Sequence, residues 1–215
     1  MARNQQQNEQ AREARKEQIR IEALRQFAAK GLAATRIQDI AENVGMAQGL
    51  LYHYYPSKEA IYIDLVRDAM DKTIEVSEEL KAMDAPAREK IGIAVKELLH
   101  TIEQSERFAQ TCCLIAQMAD VIPPGEEKAL IEEKRNAPYR IVADIMRQGQ
   151  SEGSVVAGDP DALALLFWSS VNGLAIYRIA HAYTGPMPDY RLLAAMFLKP
   201  AQLKNERKEE TICQR

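Results

Sequence analysis

Residues 35–58 read TRIQDIAENVGMAQGLLYHYYPSK, and the rest of the chain is organised around them. Thr35 and Gln38 have the T-x-x-Q spacing of a capping box, in which each side chain satisfies a backbone N–H left open at a helix start. From there Ile37, Ile40, Ala41 and Val44 recur at three and four residues, one apolar helical stripe. Gly45 follows at once, the residue type that most readily takes the left-handed turn ending a helix. A second short helix is expected from Ala47 to Tyr55, stopped by Pro56. Two short helices across a glycine turn form the pattern of a helix-turn-helix.

The second helix shows which side faces outward. At about 100° per residue, Ala47, Leu51 and Tyr55 share one stripe and are expected to pack on Ile40 and Val44. Gly49 and His53 lie opposite, with Met46, Leu50 and Tyr52 on the flanks. A glycine on an exposed helical face costs about 1 kcal/mol against alanine, a cost that makes sense where another surface must come close. In a recognition helix that surface is the floor of a DNA major groove. Gln48 then suits an adenine edge and Leu50 a thymine methyl. Arg36, Tyr52, Tyr54 and Lys58 suit phosphates. Thr35, Ala47, Gly49 and His53 complete the set expected at the DNA.

The string IAENVGMAQGLLYHYYPSKE (40–59) resembles the DNA-binding motif of TetR-type (tetracycline-repressor-like) bacterial regulators, over about a quarter of the chain. Two positions depart from that pattern. Ala47 stands where serine is usual, removing a side-chain cap or phosphate contact. Tyr55 replaces the usual phenylalanine and adds a hydroxyl. The resemblance implies an all-α protein of about nine helices, with a three-helix DNA-binding domain and a larger ligand-binding domain. It also implies a homodimer paired through the last two long helices as a four-helix bundle.

Composition permits this. The 215 residues carry a net charge of −3, 47% hydrophobic and 27% charged. The charge is unevenly placed: residues 1–58 hold nine Lys and Arg against six Asp and Glu, leaving 19 against 25 in the remainder. A basic end on an acidic body suits a polyanionic partner. Three cysteines, Cys112, Cys113 and Cys213, make no disulfide framework, and a redox role for the adjacent pair competes with that of small buried hydrophobes. The longest uncharged run, Ala162–Tyr177, is shorter than the ~20 residues a bilayer span needs. With no signal-peptide pattern at the start, a cytoplasmic protein without membrane contact is expected. No nucleotide, metal or hydrolase motif occurs, so neither an enzyme nor a cofactor is expected.

In order, residues 1–10 read as a loose arm and Ala11–Lys30 as a first helix with Ile21, Leu24, Phe27 and Ala28 inward. Ser57 caps a long fourth helix, the natural lever out of the basic end. Further helices follow around Ile91–Ile102 and Phe108–Ala119, then from Glu126 to Ser151 with Pro138 predicting a kink or break. Asp159-Pro160 starts a very apolar helix to about Tyr183, and Asp189–Lys199 a final one. The expected domains are 1–58 for DNA, 59–200 for ligand and dimer, and a charged tail, 201–215. Met118, Trp168, Asn172 and Tyr177 are candidates for an apolar pocket with a few polar anchors. Leu163, Phe167, Leu174, Leu193, Met196 and Phe197 are candidates for the dimer face. The function expected is a repressor released from a palindromic double-stranded DNA operator by a small, largely apolar effector. A helical interaction module without DNA binding is the alternative, and an enzyme a more distant one.

Overall fold

The structure, a computed structural model, describes residues 2–118 and 126–200. Residues 119–125, including the expected helix end at Ala119, and the tail from 201 lie outside those residues. The helices are α1 Ala2–Ala34, α2 Ile37–Asn43, α3 Gln48–Leu51, α4 Lys58–Ala82, α5 Ala87–Gln104, α6 Glu106–Ala116, α7 Glu126–Ser151, α8 Pro160–Ala180 and α9 Tyr190–Ala194. Among the described residues the only β pairing is an isolated bridge between Val155 and Leu198, so the fold is all-α.

The first helices wrap around α1. It is 33 residues long and breaks only at Gly31, where φ is 76°, the point at which its apolar pattern ends. It begins at Ala2, so residues 2–10 are helical rather than a loose arm. Ile19, Ala23, Leu24 and Phe27 pack with Ile40, Ala41, Leu51 and Tyr55. Ile21, assigned inward by its spacing, is instead 49% exposed. The core does not stop at Lys58. Ile61, Tyr62, Leu65, Val66 and Met70 of α4 join it, together with Leu114, Met118 and Ile131. A boundary between 58 and 59 therefore cuts through continuous apolar packing. Tyr62 ties α4 to both α6 and α1: its hydroxyl donates to the Leu114 carbonyl at 2.6 Å, and its ring lies 5.6 Å from that of Phe27. Burial pushes this phenol up to about 12.

A second core joins α5, α6, α7, α8 and α9 through Ile91, Val95, Leu99, Ala109, Val142, Phe167, Trp168 and Leu193, with Phe197 just beyond α9. α8 is apolar and long enough, by composition alone, to cross a membrane. Six of its residues, including Leu163, Phe167, Trp168 and Val171, are buried in this core. The Trp168 indole donates to the Pro138 carbonyl at 3.2 Å. Two expected starts are as read: Ser57 caps α4 through the Ala60 N–H, and Asp159 with Pro160 opens α8.

Two elements differ. α7 runs unbroken through Pro138. The carbonyl deprived of its donor is that of Lys134. The last helix is only Tyr190–Ala194 rather than Asp189–Lys199. Beyond it the backbone leaves the helix to pair with the α7–α8 connection, Val156 N–H to Phe197 O at 2.9 Å and Lys199 N–H to Ser154 O at 3.0 Å. That connection folds back across Gly149 of α7, where an added Cβ would lie 2.2 Å from Val155 Cγ2 and 3.0 Å from Ala87 Cβ. Gly149→Ala is therefore expected to cost about 2 kcal/mol or more through overpacking, read as a lower urea midpoint with unchanged m-value.

Candidate nucleic-acid interface

α2 opens differently from the capping box its spacing suggests. Its N-cap is Arg36, with no side-chain cap. Thr35 is buried, and its hydroxyl donates back to the Gly31 carbonyl at 2.8 Å, while Gln38 turns to Glu42. Thr35 thus seals the break at the end of α1 and is withdrawn from DNA. The far end of α2 is as read. Gly45 sits at φ 67°, its N–H donating to Glu42 O at 3.0 Å and the Met46 N–H to Ala41 O at 2.9 Å. These two bonds make a Schellman end that needs the left-handed residue between them.

The chain then enters α3, which is regular only from Gln48 to Leu51. It continues as tight turns through Tyr55, whose N–H still donates to Leu51 O at 3.1 Å. Two side chains pin the segment from behind, Leu51 fully buried and Tyr55 at 4% exposure. The Tyr55 hydroxyl, which a phenylalanine would lack, donates to Asp64 on α4. Burial and that carboxylate both push the phenol's pKa up, so it stays a donor. Ala47, expected on the same inward stripe, is exposed together with Gln48, Gly49, Leu50, Tyr52 and His53. α3 begins only at Gln48, so Ala47 is its N-cap and lies outside the turn that packs inward. Leu50 and Tyr52 are 48% and 47% exposed, and a Cβ added at Gly49 would meet nothing within 4 Å. An apolar and a glycine surface lie side by side in water, with the Gln48 amide beside them. Tyr54 is half-buried behind.

The cations are sorted by use. Lys30 pairs with Asp39 at 2.9 Å, Arg20 with Asp68 at 2.7 Å and Arg25 with Glu22 at 2.7 Å. Much of the amino-terminal positive charge is thus satisfied within the protein. Lys58, expected on a phosphate, points its ammonium at the carbonyls of Leu32, Ala33 and Thr35 at 2.8, 3.2 and 2.9 Å. All three of its donors close the end of α1. The Arg36 side chain is exposed and enters no ion pair or hydrogen bond among the described residues, which leaves its guanidinium available to a polyanion. Glu22 went unnoticed in the sequence and is a hub. It accepts from Arg25, from Gln26 at 2.8 Å and from Asn43 at 2.7 Å, fixing the end of α2 to α1. The Arg25 guanidinium, helped by both amides and opposed by partial burial, holds its carboxyl at about 2.

The other candidates are scattered. Met118 belongs to the amino-terminal core and Trp168 to the carboxy-terminal one. Asn172 is half-exposed, and Tyr177 is 51% exposed, its ring 4.5 Å from that of His181. These four do not line one cavity. Of the dimer candidates, Leu163, Phe167, Leu193 and Phe197 are buried within the chain's own core, Leu174 is half-buried, and only Met196 is exposed. A helix apolar all round gives no period from which to choose its outer face. The face that α8 leaves in solvent holds Leu165, Leu166, Ser169, Gly173 and Tyr177. Cys112 and Cys113 are buried free thiols; burial pushes Cys112 up to about 12 and raises Cys113. Neither has the thiolate character that a redox sensor uses.

Residues 19–65 match the family model described as bacterial regulatory proteins, tetR family. The chain is similar to the HTH-type transcriptional regulator RutR of Escherichia coli (strain K12), 29% identical over 170 residues covering 75% of this chain and 74% of that protein. It is also similar to the HTH-type transcriptional repressor KstR2 of Mycolicibacterium smegmatis, at 26% identity over 65% of this chain and 67% of the relative. Among solved structures, AibR in complex with isovaleryl coenzyme A and operator DNA shares the fold with a TM-score of 0.68. That match covers 84% of this chain and 94% of AibR at 19% identity.

Two outcomes follow from the geometry. Glu22 has a depressed folded-state pKa, so its contribution is complete above the unfolded value of about 4.3 and is lost as pH falls toward 2. Glu22→Gln should therefore lower stability by about 2 kcal/mol at pH 7 and flatten the acid limb between about pH 4.5 and 2, followed by urea unfolding across that range. Lys58→Met should lower the melting temperature, because three carbonyls lose their donor. It should leave the salt dependence of DNA binding unchanged, whereas removal of a phosphate-binding cation would reduce the slope by about 0.9.

Proposed function

We propose that this chain, a TetR-type, ligand-responsive DNA-binding transcriptional regulator, acts as a dimeric repressor whose α3 enters the major groove of each operator half-site. The observation that carries this is the bare face Ala47–Leu50 with Tyr52, backed by buried Leu51 and Tyr55. Gln48 reads a base edge, Leu50 covers a thymine methyl and Gly49 lets the helix approach. Arg36 and the Tyr52 hydroxyl hold phosphates. His53 flanks the groove.

Dimerisation runs along the exposed face of α8. Leu165, Leu166, Ser169, Gly173 and Tyr177 recur at helical spacing, large at both ends and small in the middle. A Cβ at Gly173 meets nothing in its own chain, leaving room for a partner helix to come close. A two-fold pair sets two α3 segments about 34–36 Å apart on one face of the duplex. The effector is small and largely apolar, since the core it would have to open, packed between α5, α7 and α8, is made of Ile91, Val95, Val142, Phe167 and Trp168. AibR, with an acyl coenzyme A and operator DNA bound to the same fold, supports a regulator of this kind. Release requires only that the effector prefer one dimer geometry, by a factor that sets the loss of operator affinity. α4 and α6 carry the change, since both pack on α1 as well as on the effector domain.

The test is a gel-shift titration with DNA from upstream of the chain's own gene. Wild type should give a salt-sensitive, specific complex at nanomolar protein. Gln48→Ala and Tyr52→Ala should each weaken it tenfold or more, about 1.4 kcal/mol, without loss of melting temperature. An interaction module without DNA binding would show no such complex and no response to either change. Leu166→Glu should give a monomer by light scattering and weaken operator binding steeply.

A further inference from the structure

Tyr55 closes the segment that carries the exposed residues, and three elements meet on it. Its N–H donates to Leu51 O at 3.1 Å, the last rung of the turns that follow α3. The ammonium of Lys16, from α1, lies 5.4 Å over its ring. Its hydroxyl donates to Asp64, about two turns into α4. Within Ala47–Tyr55, and among the described residues, only two side-chain hydrogen bonds form. One joins Gln48 to Tyr52 inside the segment at 3.5 Å. The other, from Tyr55 to Asp64, is the only one that reaches the rest of the chain.

The remaining anchorage is apolar, through Leu51 and the Tyr55 ring. Apolar burial has no preferred direction, so it sets how deep the segment sits. A hydrogen bond is directional and sets its angle. Asp64 is well placed for that task because α1 holds it from the other side. Arg20 Nη1 lies 3.5 Å from its carboxylate and Lys16 Nζ 3.8 Å. The Arg20 side chain is only 14% exposed and is fixed in turn by Asp68 at 2.7 Å. The acceptor therefore cannot swing away from Tyr55 without leaving two cations. Phenylalanine, usual at this position in the TetR-type pattern, would keep the ring packing and lose the bond.

We infer that Asp64 is a positioning residue for DNA recognition: by receiving the Tyr55 hydroxyl it fixes the angle at which Gln48, Leu50 and Tyr52 face the duplex, without touching DNA itself. This role rests on α3 binding DNA. Without the bond, the turns beyond Leu51 loosen in the free protein and must be ordered again on binding, a cost that is read as lost operator affinity. Charge alone predicts the opposite sign, because removing a carboxylate from the DNA-binding end favours every duplex.

Wild type, Tyr55→Phe, Asp64→Ala, Asp64→Asn and the double variant Tyr55→Phe/Asp64→Ala are titrated as full-length chains. The probes are the duplex that wild type selects from a random library and a scrambled duplex of the same composition. Tyr55→Phe and Asp64→Ala should each bind the selected duplex about fivefold more weakly, the worth of one hydrogen bond. Tyr55→Phe should have no further effect in the Asp64→Ala background, since both changes remove the same bond. Asp64→Asn keeps an acceptor at the same charge as Asp64→Ala and should bind more tightly than it. The scrambled duplex should be bound no more weakly by any variant. Tyr55→Phe should keep the wild-type slope of log K against log salt, because no phosphate contact is lost. Melting temperatures should fall by no more than about 4 °C, with binding measured well below them. Unchanged affinity of Tyr55→Phe for the selected duplex overturns the proposal, since a bond that serves stability alone moves only the melting temperature. So do losses that add in the double variant, or Asp64→Asn behaving like Asp64→Ala. If wild type selects no duplex, DNA binding by α3 fails and takes the role of Asp64 with it.

Discussion

Leu51 and Tyr55 hold down a segment that water would otherwise claim, and the presentation of every outward residue around them follows from that anchorage. α3 has a single regular turn, far too short to persist alone. Burying two large side chains removes enough apolar surface to fix it, at about 1.5–3 kcal/mol for each fully buried. The Tyr55 hydroxyl, bonded to Asp64, ties the end of the segment to α4. What remains outside is a small surface of amide, glycine, leucine and tyrosine that makes no use of the chain's own packing.

Everything behind that surface keeps it at a fixed angle. The Schellman end at Gly45 sets the turn from α2 to α3. Glu22, Asn43 and the Lys30–Asp39 pair set α2 on α1, and Lys58 ties the start of α4 to the end of α1. Arg107 on α6 reaches Glu17 on α1 at 2.7 Å, and Tyr62 on α4 bonds the last turn of α6. The first three helices are therefore gripped by both α4 and α6 rather than joined to the rest of the chain by one hinge. A rearrangement that shifts α6 against α8 has a packed route to α1, of the kind that gives coupling a physical path.

The helix-turn-helix was legible because its two signals are local: an apolar stripe of period 3.6 and a glycine forced to positive φ. Ser57 and Asp159-Pro160 were legible for the same reason. Failures came where a local pattern competed with a distant partner. Thr35 had a capping-box partner three residues on, but the Gly31 carbonyl took its hydroxyl. Lys58 had the charge for a phosphate, but three carbonyls from residues more than twenty positions away claimed it. α8 hid its outer face because it is apolar on every side, and only its neighbours show that Leu165 and Leu166 point outward while Leu163 and Phe167 do not. The shortened α9 was invisible because the bonds that end it come from the α7–α8 connection.

If the face around Gly49 is bare so that a duplex can press against it, one substitution sets two consequences in opposition. Gly49→Ala places a methyl group in open space as far as this chain is concerned, so helix propensity should raise stability by about 0.5–1 kcal/mol. The same methyl group should obstruct the groove. The decisive experiment compares the melting temperature and operator affinity of Gly49→Ala with those of wild type. A melting temperature equal or higher, with operator binding at least tenfold weaker, is the expected result. Operator affinity retained or improved in a protein of unchanged or greater stability would contradict it.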